Sequence, residues 1–230
     1  IRDRDKNLWH LSHEGLDLED PANEPDLDKD KFLEMSVSPY KAPDAATEVS
    51  VDFEGGVPVA VNGEKMKVSQ IIAKLNELGG ANGIGILDIV ENRLIGMKDH
   101  GIYETPGGTI LYFAHEQLEM LTLDKETAHM KSKLAVDYAD LIYNGKWFSP
   151  LAEALTAFAK KANENCTGTV KLKLYKGNMI NAGITPPNSL YSEELVTFGE
   201  SDFDQAQAAG FINIWGLPTK VQSLLKSGKL

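Results

Sequence analysis

The chain has 230 residues, 42% of them hydrophobic, and carries 34 acidic against 23 basic side chains, a formal net charge of −11. That is enough apolar material for one large folded domain or two small ones, and the negative surface repels phosphate backbones and anionic headgroups, so no nucleic acid and no membrane partner is expected. Uncharged apolar runs are too short for a spanning helix or a secretion signal, which points to a cytoplasmic protein, and a lone cysteine, Cys166, forms no internal disulfide.

The chain opens on Ile1 rather than Met, and its first residues read as the middle of a structure, so a fragment of a longer protein is expected. In "NLWHLSHEG", His10 and His13 stand three apart with Glu14 beside them, but no third ligand is evident and no metal site is expected. Ser12 between the two His is not readily a nucleophile, because its strand neighbours point to the opposite face. It reads instead as a hydrogen-bonding ligand for a polar substrate.

Residues 17–46 are acidic, proline-bearing and without periodicity, which suits a surface connection. Val49, Val51 and Phe53 then alternate with polar residues, and Gly55-Gly56 separates them from Val57, Val59 and Val61, so a β-hairpin is expected with Pro58 on an edge. Val68, Ile71, Ile72, Leu75 and Leu78 fall at helical spacing and run into Gly79-Gly80, expected to end the helix in the left-handed conformation. "GGANGIG" is a loop rather than a phosphate cradle, because a helix precedes it and a strand follows.

"DIVENRLIGMKDHGIYETPGGTIL" is the informative stretch. Its continuous apolar run from Ile84 to Ile95 predicts a strand buried on both faces, interrupted by Glu91-Asn92-Arg93. Glu91 and Arg93 share a strand face and pair structurally, or else Glu91 is left to bind a cation. Tyr103 falls on an expected loop between Gly101 and Pro106, either capping the core or meeting a ligand. A carboxylate, an amide and a phenol gathered this way suit the ammonium and polar groups of a zwitterion. Helices follow to Asn144 and from Pro150 to Asn163, then a hairpin turning at Lys176-Gly177. The tail, with Phe211, Ile212, Ile214, Trp215, Leu217, Val221, Leu224 and Leu225, is helical and broken near Gly216 and Pro218. It docks on its own domain or on another subunit. Cys166, in "NENCTGT" with no His close in sequence, reads as structural.

In order along the chain, "NLWHLSHEG", "LEDP", "VAVNGE", "LNELGG", "DIVENR", "GIYETPGG", "LTLDKE", "LKLYKGN", "SLYSEEL" and "AAGFINIWGL" resemble the argininosuccinate synthases over nearly the whole length. The match is to that family's carboxyl-terminal synthetase and oligomerisation region. The resemblance implies an ATP-dependent ligase of arginine biosynthesis, in which the ureido oxygen of citrulline attacks the α-phosphate of ATP and the amino group of aspartate then displaces AMP. It implies citrulline contacts at Ser12, Glu91 and Tyr103, acting by orientation, with no catalytic residue of this chain. Asp3 stands where the family usually has a Ser contact, whose role is not carried over, and His13 where a Tyr is common. The nucleotide domain is missing, so ATP, the Mg2+ expected with it and aspartate belong elsewhere, and the fragment alone is expected to be inactive.

The expected fold is α+β, a mostly antiparallel sheet covered by helices, with residues 1–200 as the citrulline-binding domain and 201–230 as a helical tail for a homo-oligomer, a tetramer in the family. A rival is a non-catalytic amino-acid-binding or oligomerisation module. A weaker one is a hydrolase pairing Glu91 with Glu104 across a gap of ~5–9 Å.

Overall fold

A computed structural model describes residues 3–29, 32–196 and 204–230. They fall into two compact units, Ile1–Leu190 and Tyr191–Leu230. The boundary expected at 200/201 lies outside the described residues.

The first unit runs β1 (Leu11–Glu14), β2 (Thr47–Glu54), β3 (Val57–Val61), β4 (Glu64–Lys65), α1 (Val68–Ala81), β5 (Ile86–Asn92), β6 (Lys98–Glu104), α2 (Pro106–Thr122), α3 (Lys125–Tyr143), α4 (Pro150–Ala162), β7 (Gly168–Tyr175) and β8 (Asn178–Thr185). Its strands form two sheets rather than one, of order β4-β3-β2-β7-β8 and β1-β6-β5, and every pairing is antiparallel. The fold is therefore α+β. In the second unit α5 (Glu193–Val196), α6 (Gln207–Trp215) and α7 (Leu217–Lys226) follow. Among the described residues no helix is long and apolar enough to cross a membrane.

The larger sheet is built by alternation. Val49, Val51 and Phe53 of β2 and Val170, Leu172 and Leu174 of β7 point to one face, where Ile71 and Leu75 of α1 and Ile110, Ala114 and Leu118 of α2 cover them. Each fully buried side chain of this size stabilises the fold by ~1.5–3 kcal/mol relative to an exposed one. Pro58 sits where β3 has no outer neighbour, since β4 pairs only with Ala60 and Val61.

Gly79 and Gly80 do not end α1, which continues to Ala81. They are packing glycines: a Cβ at Gly80 would lie 1.9 Å from the Met35 carbonyl oxygen, and one at Gly79 would lie 2.8 Å from the Ile110 side chain. Gly83, at φ +68, supplies the left-handed turn instead.

The smaller sheet has a second core beneath it, in which Leu18, Phe32 and Ile102 are buried. The connection expected at 17–46 makes this core, so its described part is a cover rather than a loose surface loop. Its anchor is Glu104, at the end of β6 and wholly buried. Glu104 Oε2 accepts the backbone N–H of Met35 and of Ser36, both at 2.7 Å, and Oε1 accepts that of Glu34 at 3.0 Å. His13 Nε2 lies 2.7 Å from Oε1, its ring stacked on Phe32 at 5.0 Å.

Removing this one acceptor strands several buried donors. Glu104→Ala is expected to cost ~3–5 kcal/mol in urea denaturation. A loss below ~1 kcal/mol would show that the 34–36 segment is held by something else.

Candidate functional site

β6 is the central strand of the small sheet, and the ladder fixes what lies beside what. Tyr103 is opposite Ser12 on β1 and Leu87 on β5, Gly101 is opposite Glu14 and Ile89, and Asp99 is opposite Glu91. Because side chains alternate along a strand, these residues share one face, while His13, Ile102 and Glu104 occupy the other, under the 17–46 cover. The structure thus brings Ser12, Glu91 and Tyr103 to one face, partly open to solvent.

Tyr103 lies on a strand, not on the expected loop. Strand β6 ends at Glu104, Thr105 is the junction, and Pro106 opens α2. Tyr103 and Glu91 are not directly paired, yet they interact, because Gly101 lies between them along β6. A Cβ at Gly101 would come within 3.1 Å of the Tyr103 ring and 3.5 Å of Glu14 Cγ, so the ring lies over the glycine and reaches toward Glu91. Burial, and then the charge and hydrogen bond of Glu91, push the Tyr103 phenol well above its ordinary range. Gly101 is a site residue that sequence reasoning passed over as a turn former. Its signal was position, two residues before Tyr103 on one strand.

Of the two alternatives left open for Glu91 and Arg93, the structure does not form the direct pair. Arg93 Nη2 lies 2.5 Å from Glu14 Oε2 and 2.9 Å from Asp99 Oδ2, leaving Glu91 outside its hydrogen bonds. Glu14, Glu91 and Asp99 each place an oxygen within 4.8 Å of the others. Burial raises the Glu14 carboxyl above its usual value, against the lowering influence of the Arg93 bond, and that same bond raises the guanidinium further.

Ser12 is 3% exposed, beneath a segment that returns along β1. Its Oγ accepts the Asp5 N–H at 3.3 Å, so its own proton is left to donate. Asp3 exchanges backbone hydrogen bonds with Glu14 at 3.0 and 3.1 Å, and its carboxylate accepts the Arg4 N–H at 3.0 Å. His10 stands with its ring 6.1 Å from that of Tyr103, whereas His13 is buried against Glu104, so the two His serve different faces.

Two expectations fail here. β5 is not buried on both faces: it is an edge strand, and Leu87, Val90, Leu94 and Ile95 are each more than half exposed. Glu91 and Glu104 do not flank one gap, because they point to opposite faces of the sheet and Glu104 is filled with backbone donors. The hydrolase reading falls with them.

Cys166 has neighbours that its sequence context hides. His115, Glu119 and Cys166 place ligand atoms within 4.8 Å of one another. Burial raises the thiol above its usual range, Thr122 Oγ1 lies 2.9 Å from it, and Lys131 Nζ sits 2.5 Å from Glu119 Oε1. A thiol so protected is a poor nucleophile.

The sequence model of the family described as "Arginosuccinate synthase C-terminal domain" matches residues 3–222. The chain is 58% identical over 232 residues to the argininosuccinate synthase of Clostridium botulinum (strain Alaska E43 / Type E3), covering 98% of this chain and 56% of that protein. It is 56% identical over 227 residues to that of Desulforamulus reducens, covering 98% and 56%, and 58% identical over 223 residues to that of Acetivibrio thermocellus, covering 96% and 55%. The chain spans about half the length of the curated relatives it matches.

Alkaline titration followed by tyrosine absorbance or NMR tests the contact at the centre of this face. Tyr103 is expected to keep its proton past the ~10 of a free tyrosine, because burial and a neighbouring carboxylate both disfavour the phenolate. Glu91→Gln should bring that ionisation down, and an unmoved Tyr103 would show that the phenol does not sense Glu91.

Proposed function

We propose, since the chain belongs to the argininosuccinate synthase C-terminal domain family, that it is the citrulline-holding part of a cytoplasmic ATP-dependent carbon–nitrogen ligase that joins citrulline to aspartate. The observation that carries this reading is the shared face of Ser12, Glu91 and Tyr103, with Glu91 left out of the Arg93 bonds. A carboxylate on an otherwise acidic, half-open face attracts an α-ammonium. The Ser12 hydroxyl retains a proton for a carboxylate or ureido oxygen, and the Tyr103 phenol stays a neutral donor.

In the reaction so assigned, the ureido oxygen of citrulline forms a bond to the α-phosphorus of ATP as pyrophosphate leaves, and the aspartate nitrogen then displaces AMP. No side chain named here forms a covalent bond. Their part is orientation: fixing citrulline by its amino-acid end brings a weak nucleophile into line, an effect worth up to ~7–11 kcal/mol in well-aligned intramolecular reactions. ATP and aspartate are assigned to the part of the protein outside this chain.

Mg2+ goes with the nucleotide. The carboxylates of Glu14 and Asp99 are bonded to a guanidinium, and the His115–Glu119–Cys166 group includes a buried thiol with Lys131 beside it, so neither donor set suits a hard divalent cation. No step is routed through a metal here.

The second unit supports a homo-oligomer. Phe211, Ile212, Ile214 and Trp215 on α6 and Leu217 and Leu225 on α7 are each at least half exposed, a cover we assign to other copies of the chain.

Given ATP, citrulline and aspartate, the isolated chain is expected to release no AMP. In the whole protein, Glu91→Gln should raise the citrulline KM by ~10–100-fold while leaving the KM for ATP near its parent value. Steady AMP release by the chain, or an unchanged citrulline KM, would refute the assignment. Should the chain bind citrulline in calorimetry while the intact protein lacks ligase activity, the amino-acid-binding module takes its place.

A further inference from the structure

Three carboxylates, Glu14, Glu91 and Asp99, converge within 4.8 Å, and among the described residues one guanidinium, that of Arg93, is bonded to Glu14 and Asp99. Left alone, like charges this close share protons, and the fraction of each that is ionised falls near neutral pH. Arg93 does not divide its bonds evenly. It spans Glu14 on β1 and Asp99 on β6, two strands of one sheet, and makes no hydrogen bond to Glu91, two residues before it on β5.

The turn sets this geometry. Arg93 N–H donates to the Met97 carbonyl at 2.7 Å, Gly96 N–H donates back to the Arg93 carbonyl at 2.7 Å, and Gly96 takes φ +84. The turn therefore continues the alternation of β5, and the Arg93 side chain folds over the same face as Glu91. We infer that Arg93 is a positioning residue: it occupies Glu14 and Asp99 so that Glu91 is the carboxylate presented to the ammonium of an amino-acid substrate. The inference rests on the citrulline reading and adds a specificity element to it.

The groups beside Glu91 are Glu14 from β1, Asp99 and Tyr103 from β6, and Arg93 from its own hairpin, with His10 next to the Tyr103 ring. Two of these, Glu14 and Asp99, are carboxylates, so replacing Arg93 leaves Glu91 beside unpaired negative neighbours. Proton uptake by the cluster then competes with ammonium binding. Because an anion with raised affinity for a proton binds it at higher pH, the loss is largest in mild acid and shrinks as pH rises.

The test uses the whole protein, with Arg93→Met, Arg93→Lys and the triple variant Arg93→Met/Glu14→Gln/Asp99→Asn. Arg93→Met is expected to raise the citrulline KM by ~10-fold or more at pH 6, with kcat changed much less and the KM falling toward the parent value by pH 8.5. Arg93→Lys keeps the charge and should recover most of the affinity. The triple variant removes the repelling carboxylates with the guanidinium and should recover it too, within ~3-fold of the parent.

A citrulline KM unaffected by Arg93→Met overturns the proposal, as does a raised KM that is flat with pH and is not restored in the triple variant. The latter pattern marks a role in folding of the hairpin. If Glu91→Gln leaves the citrulline KM unchanged, the site reading itself has failed. If Glu91→Gln weakens citrulline but Arg93→Met does not, only the positioning role has.

Discussion

The small sheet depends on one buried carboxyl group. Glu104, itself wholly buried, closes β6 and offers two oxygens to the backbone of Glu34, Met35 and Ser36 and to the buried His13. Buried N–H groups without acceptors are costly, so this one side chain allows an otherwise irregular acidic segment to lie against a sheet. The segment in turn brings Leu18 and Phe32 to cover Ile102. With that face closed, the opposite face of the same three strands is the one that remains partly open.

Strand alternation then separates two kinds of chemistry along a few residues. Glu104 and Tyr103 are neighbours in sequence, yet one is sealed and structural while the other stands beside Ser12 and over Gly101. Likewise His13 serves the buried face, whereas Ser12 and Glu14 serve the open one. The fold thus concentrates carboxylates on a surface where a single arginine decides which of them are already partnered.

Apolar content alone misleads at such a place. The run from Ile84 to Ile95 has the composition of a strand buried on both faces, but order in the sheet makes β5 an edge. Ile84 goes to the main core and Ile86 packs against the second, while Leu87, Val90, Leu94 and Ile95 are left exposed. The same is true of Gly79-Gly80, whose local signal is a helix end and whose actual reason is the approach of Met35 and Ile110. In each case the residue type was chosen for a neighbour distant in sequence, and no window of the chain contains that neighbour.

From its residues alone the chain determined what depends on short-range spacing: the alternation of β2 and β7, the helical stripe of α1, the helix start at Pro150, and the family that its ordered motifs resemble. The match to residues 3–222 and the antiparallel α+β fold agree with those readings. Tertiary structure decided the rest. Which carboxylates Arg93 holds, which face Glu104 points to, why Gly101 lets Tyr103 approach Glu91, and that His115 stands beside Cys166 all turn on how strands and helices pair in space, from within one hairpin to segments 79 residues apart. Charge and hydrogen-bond partners are properties of such pairings, so the sequence could name the groups but not assign their bonds.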